Sequence, residues 1–311
     1  MTTAFVFPGQ GSQQVGMGKA LADAFPAARA VFEEVDAALG ENLSRIMWEG
    51  PEGDLTLTAN TQPALLAVSI AALRVLQVER GLDLASQARF VAGHSLGEYS
   101  ALCAAGSLSL TDAARLLRIR GRAMQDAVPV GKGGMAALIG TDLAQANDIA
   151  REAAQGEVCS TANDNGGGQV VISGAMGAVE RAIEIAKGRG VKRALLLPVS
   201  APFHSPMMDP AAEVMRGALA EATVNAPIVP VVSNVTARPE TDPQEIRDNL
   251  VAQVSGTVRW RESVEYMAGE GVTRFVELGA GKVLAGLVKR IAAGSEGTSV
   301  GSPDDIAAFG A

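Results

Sequence analysis

Histidine, cysteine, tryptophan and tyrosine each occur only twice in this chain, and each scarcity closes off a class of function. Cys103 and Cys159 cannot build a multi-bridge disulfide framework and show no metal-ligand spacing, so a reduced, cytoplasmic protein without a metal is expected. Basic residues are the minority, 26 Lys and Arg against 34 Asp and Glu, and the net charge of -8 argues against nucleic acid as the main ligand. The longest apolar run, Pro63 to Leu73, falls far short of the roughly 20 residues that span a bilayer. The opening MTTAFVFPGQ has no basic segment followed by an apolar one, so neither a secretory signal nor membrane attachment is expected.

What is present is a large apolar inventory. The 311 residues are 48% hydrophobic and 19% charged, enough for one large domain carrying an insertion, or for two domains sharing a cleft. TAFVF (residues 3–7) reads as a buried strand entering the turn PGQGSQ, followed by a short helix over 18–25. Residues 61–77 read as a buried helix with Pro63 near its start, and ARFVAG (88–93) as a strand that hands over to a helix over 95–105. A further helix covers 111–125. From about 130 to 198 the order is strand, helix, strand, strand, helix, strand, the ferredoxin-like βαββαβ pattern. Beyond it, helices are expected over 210–222, 243–254, 260–270 and the segment GKVLAGLVKRI, with strands at IVPVVSN and TRFVEL. The tail GSEGTSVGSP reads as a flexible linker to a short terminal helix. The expected fold is α/β: a hydrolase-like core (1–129 and 199–311) with a mostly parallel sheet flanked by helices, plus a ferredoxin-like subdomain (130–198).

The strand-to-helix junction at VAGHSLGEYS carries the chemistry. Gly93, Ser95 and Gly97 fit the G-x-S-x-G elbow, whose glycines permit the tight turn that lifts a serine hydroxyl into a cleft. The Leu96 amide at the helix start would point at a developing oxyanion. In a chain with 35 glycines the pattern also fits an ordinary turn serine, and the flanking strand and helix favour the nucleophile. A nucleophilic serine needs a base, and only two histidines exist. His94 adjoins Ser95, and consecutive side chains leaving a tight elbow diverge, which leaves His204 in the loop VSAPFHSPMM.

Arg120 is out of place. On a helical projection Arg115, Arg118 and Arg122 form a solvated stripe, while Arg120 falls among Ala113, Leu116, Leu117, Ala123 and Met124. A buried guanidinium needs an anion, either an internal Asp or Glu or a substrate carboxylate held near Ser95. The turn GQGSQQ lacks the third glycine of G-x-G-x-x-G, and GAGKVL lacks both the spacing and the Ser or Thr of a P-loop, so no nucleotide cofactor is expected.

With FVFPGQGSQ, GHSLGEYSAL, RGRAMQ, the NDN and GQVVISG pair and VSAPFHSPMM in this order, the chain resembles the malonyl-CoA:acyl carrier protein transacylases from about residue 4 to 292. The resemblance implies malonyl transfer from coenzyme A to the phosphopantetheine thiol of acyl carrier protein, through a malonyl-serine, without a cofactor. It makes Ser95 the nucleophile, His204 its base, the amides of Gln10 and Leu96 the oxyanion hole, and Arg120 the grip on the malonyl carboxylate. Gln253 would orient His204 through its main-chain carbonyl. Gln62, His94 and Asn163 would line the cleft, as would Phe203, which in malonyl-selective relatives disfavours branched acyl groups. A monomeric enzyme of fatty acid synthesis is expected, docking the carrier on Lys187, Arg189, Lys192 and Arg193 or on Lys282, Lys289 and Arg290. A serine thioesterase and an inactive carrier-docking module are the alternatives.

Overall fold

The computed structural model describes residues 1–310. Among the described residues, ten strands form two sheets. In chain order they are β1 (Thr3–Phe7), β2 (Ala88–Gly93), β3 (Gly133–Ile139), β4 (Cys159–Asp164), β5 (Gln169–Ala175), β6 (Arg193–Leu196), β7 (Val231–Val232), β8 (Pro239–Glu240), β9 (Arg274–Leu278) and β10 (Glu296–Val300). The large sheet runs β10-β9-β1-β2-β7-β8 and is parallel except for the β7–β8 pair. β1 is buried along its whole length, as a central strand covered on both faces must be. IVPVVSN yields only the two residues of β7, because Pro230 offers no N–H to a ladder; its carbonyl instead accepts from Val91.

The core of the large unit is built around the helix Thr58–Arg80, buried without a break from Thr61 to Leu73. Each Leu it hides contributes about 2 kcal/mol. The helix begins a turn earlier than the sequence suggests, with Pro63 inside it rather than at its start. By length and hydropathy it is apolar enough to cross a membrane, but 83% of that window is buried inside the protein. Its apolar surface is therefore already covered. Residues 26–57, not assigned from the sequence, supply three of the surrounding helices, Pro26–Leu39, Leu43–Glu49 and Glu52–Thr56.

The small sheet, β4-β5-β3-β6, is antiparallel throughout and carries the helices Leu143–Ala154 and Met176–Gly188 in the expected βαββαβ order. It has its own core, which includes Leu138, Ile149, Ile172 and Val179. The end of β4 is stitched to the large unit: Asp164 N–H donates to Val258 O at 2.9 Å, Val258 N–H to Ala162 O at 2.8 Å, and Arg261 pairs with Asp164 at 2.8 Å.

Two expectations fail. Arg118 is not on a solvated stripe; it is 7% exposed and bonded to Glu41 and Asn60. The helix Pro26–Leu39 and the turn after it cover that face, and their presence was not legible from the arginine helix alone. Nor is the tail a linker. Glu296–Val300 is the parallel edge strand β10, in register with β9 from Arg274 to Leu278. An edge strand needs little apolar surface, and here Val300 is its main anchor. The terminal helix Pro303–Ala308 follows, opened by a Ser302–Asp305 capping box and held by Arg80 Nε on Ile306 O at 2.8 Å.

The β1–β2 register places Phe7 opposite Gly93, so the loops leaving both strands lie side by side at the carboxyl edge of the sheet. Parallel α/β sheets bind ligands at that edge. The elbow after β2 tolerates no side chain at Gly93, where a Cβ would lie 1.9 Å from the Gly97 carbonyl. Gly93→Ala should therefore destabilise the protein by about 3 kcal/mol or more, measured by chemical denaturation; an unchanged midpoint would show that the elbow has slack.

Candidate active site

Ser95 stands between β2 and the helix Gly97–Ala104, with φ of +54°. That left-handed conformation costs a non-glycine residue roughly 1–2 kcal/mol. Ser95 Oγ lies 2.7 Å from His204 Nε2. His204 also has a positive φ, +56°, just before the short 3-10 turn Pro206–Met208.

The imidazole is oriented by carbonyls rather than by an acid. His204 Nδ1 lies 2.9 Å from Gln253 O and 3.1 Å from Gly256 O, both main-chain acceptors, so Nδ1 carries the proton and Nε2 faces Ser95 with a lone pair. Burial, and next the Arg120 charge, push the His204 pKa down to about 3 against the pull of the two carbonyls. His204 is thus neutral and competent to accept the serine proton.

Arg120 enters from the helix Leu110–Asp126, and the sequence reading of its side chain as buried holds: it is 1% exposed. Close approach of that helix depends on Gly121, where a Cβ would lie 2.6 Å from Ala59 Cα. All the hydrogen bonds of Arg120 go to neutral groups: Nη1 to Gln62 Oε1 at 2.8 Å, and Nη2 to Gln253 Oε1 at 2.9 Å and Ser95 Oγ at 3.2 Å. The Tyr99 ring lies 5.7 Å away, and Nε has no partner among the described residues. Of the two readings open from the sequence, an internal ion pair is not what holds this guanidinium.

The nearest acid, Glu98, is fully buried, and desolvation together with Glu240 raises its pKa to about 8. Its Oε2 accepts from Gln253 Nε2 at 2.6 Å and from the Asn234 N–H at 3.2 Å. Asn234 Oδ1 in turn accepts from the Ser95 N–H at 2.7 Å. Asn234, Glu98, Gly256 and the side chain of Gln253 escape sequence reasoning. Glu98 alone carried a signal, an acid in the otherwise apolar short helix GEYSALCA.

The other expected residues divide. Gln62 joins the site through Arg120. Gln10 and Leu96 lie in the loops after β1 and β2, and neither backbone N–H has a protein acceptor among the described residues. Phe203, 7% exposed, packs into the main core directly before His204. His94 turns to Asn165 Oδ1 at 2.9 Å and to the Trp260 ring, making no bond to Ser95. Asn163 bridges Val258 through its backbone, and its buried Oδ1 has no partner among the described residues. No group of three or more potential metal ligands occurs among the described residues.

Two measurements follow from these charges. Because the folded pKa of His204 is depressed, reaction of Ser95 with a fluorophosphonate should keep its rate as pH falls through 6.5 and decline only well below; an inflection at 6.5 would contradict the buried neutral base. Glu98 is protonated when folded and ionised when unfolded between pH 4.5 and about 8, so it contributes stability in acid that is lost across that window as pH rises. Glu98→Gln should flatten this decline in denaturation midpoints measured from pH 5 to about pH 8.5.

The chain matches the family described as acyl transferase domain over residues 4–302. The malonyl CoA-acyl carrier protein transacylase of Escherichia coli K12 is 50% identical over 305 residues, 98% of this chain and 97% of that protein. Among solved structures, an acyl-carrier-protein-S-malonyltransferase from Bartonella henselae superposes with a TM-score of 0.97 at 57% identity, covering 99% of this chain and 98% of that one. A malonyl-transacylase in complex with a type II polyketide acyl-carrier protein gives 0.94 at 43% identity, covering 99% and 98%. With a half-buried serine bonded to a buried histidine at the sheet edge and these likenesses along nearly its whole length, the chain belongs to the acyl transferase domain family.

Proposed function

We propose that this protein transfers malonyl from malonyl-CoA to the phosphopantetheine thiol of acyl carrier protein, through a malonyl ester on Ser95, in the supply of fatty acid synthesis. The observation that carries the reading is Arg120: a buried cation, bonded to Ser95 Oγ itself and to no anion among the described residues. A diacid whose thioester end meets Ser95 would bring the missing negative charge. The Escherichia coli relative is named for this pair of substrates, and the Bartonella henselae structure for malonyl transfer to acyl carrier protein.

In the first half-reaction Ser95 Oγ attacks the thioester carbonyl while its proton passes to His204 Nε2. The oxyanion is held by the N–H groups of Leu96 and Gln10, each worth on the order of 3 kcal/mol. Collapse breaks the C–S bond, and the departing thiolate takes the proton from His204. The carrier thiol then gives its proton to His204, attacks the malonyl ester, and releases Ser95, which regains a proton. Nucleophile, base and oxyanion donors are all protein groups, so the transfer needs no cofactor. Arg120 lowers the basicity of His204, and a carboxylate seated on Arg120 relieves that pressure, so the base strengthens when substrate is in place.

Residues 130–198 act as the small subdomain against a catalytic unit of 1–129 and 199–311, and we read the enzyme as a cytoplasmic monomer. Exposure to malonyl-CoA should add one malonyl group to the intact mass, and Ser95→Ala should abolish it. Steady release of malonate without an acceptor would instead mark a thioesterase, and no added mass a docking module. Arg120→Ala should cost malonyl transfer on the order of 100-fold more than acetyl transfer, since only malonyl uses the charge; equal losses would refute the clamp.

A further inference from the structure

Both peptide groups that flank Ser95 are held by buried side chains from distant parts of the chain. Asn234 accepts from the Ser95 N–H through Oδ1 at 2.7 Å and donates to Gly93 O through Nδ2 at 2.7 Å. Gln253 Nε2 donates to Ser95 O at 3.0 Å. These two residues are joined by one acceptor, Glu98 Oε2, which takes the Gln253 amide at 2.6 Å and the Asn234 N–H at 3.2 Å. Glu98 and Gln253 are 0% exposed and Asn234 is 1% exposed. Glu98 touches neither Ser95 Oγ nor His204, so the transfer steps make no direct use of it.

The geometry of a peptide plane gives this network a consequence for catalysis. In a trans peptide the C=O and the following N–H point in opposite directions. The Ser95 carbonyl, held by Gln253 Nε2 and by the Glu98 N–H, each at 3.0 Å, therefore sets the direction of the Leu96 N–H, one of the two proposed oxyanion donors. Fixing the Ser95 N–H on Asn234 secures the other side of a residue held in the left-handed region. We propose that Glu98 is a positioning residue: by anchoring Gln253 and Asn234 it keeps the Ser95 peptide groups, and with them the Leu96 N–H, aimed at the acyl carbonyl. This rests on the reading of Ser95 as the acyl acceptor.

Gln253 also touches Arg120 through Oε1, so damage at Glu98 could reach the substrate by two routes. They are separable by the choice of reagent. Loss of aim in the Leu96 N–H slows every electrophile that develops an oxyanion, whereas a displaced Arg120 slows only those that carry a carboxylate.

The test compares full-length wild type with Glu98→Leu, Glu98→Gln and Asn234→Ser. Acylation of Ser95 by malonyl-CoA and phosphonylation by a fluorophosphonate are followed by rapid quench and intact mass, with thermal midpoints in parallel. Glu98→Leu should slow the fluorophosphonate reaction roughly tenfold to a hundredfold, less than deletion of an oxyanion donor outright, and malonyl-CoA by at least as much, any excess reporting the Arg120 route. Asn234→Ser should do likewise. Glu98→Gln keeps an acceptor oxygen in place and should stay within about threefold of wild type, a rescue that a purely space-filling role would not single out. The proposal is overturned if folded Glu98→Leu reacts at the wild-type rate, if only malonyl-CoA is slowed, or if Glu98→Gln is as slow as Glu98→Leu. Should Glu98→Leu not fold, Asn234→Ser reacting at the wild-type rate would overturn it equally. A wild type that takes no malonyl on Ser95 would sink the proposed function instead, and the fluorophosphonate arm would still report on the network.

Discussion

A buried guanidinium bonded to no counter-ion among the described residues is the constraint around which this site is arranged. An isolated buried charge costs several kcal/mol. Here the cost is offset in part by three oxygen dipoles, those of Gln62, Gln253 and Ser95, and by the face of Tyr99. What remains is an unneutralised positive charge bonded to the serine hydroxyl. The same charge holds His204 neutral, since burial and Arg120 both disfavour a second cation. The substrate preference proposed for Arg120 and the protonation state of His204 would therefore be two readings of one electrostatic field.

Such a field is useful only if the backbone holds still. Ser95 and His204 both occupy the left-handed region, and neither is glycine. Strain of this kind persists where surrounding groups over-determine it. For Ser95 those groups are the β1–β2 register, the Gly93–Gly97 contact that leaves no room for a Cβ, and side-chain bonds to both of its peptide groups. For His204 they include the two carbonyls on Nδ1.

The parts legible in the sequence were those where a residue type conflicts with its neighbourhood. Arg120 stood out on an apolar helical face, and His204 was singled out because only two histidines exist. The βαββαβ run was readable from alternating periods, and its strands appear in the small sheet. The carbonyl of Gln253 came only by resemblance, because a main-chain acceptor leaves no mark on side-chain chemistry. Asn234 was invisible for a related reason: an asparagine after a short strand looks like any turn residue until its amide is seen between Ser95 and Gly93. The tail misled through composition, since Gly and Ser mark linkers and edge strands alike. Arg118 misled because its covering helix lies about eighty residues earlier, beyond the reach of a single-helix projection.

The choice of a carbonyl as the third partner of the pair follows from the same field. A carboxylate on His204 Nδ1 would orient the imidazole as well, but it would also stand close to Arg120 and supply the anion the guanidinium lacks. On the proposed role of Arg120, a substrate carboxylate would then have to displace an internal one, and that basis for preferring a diacid would be lost. Main-chain oxygens set the tautomer without adding charge. Glu98 is compatible with the arrangement because burial and Glu240 keep it protonated through the neutral range. It can hold amides in place as an acceptor while contributing no full negative charge, so the charge of Arg120 is not neutralised from that side.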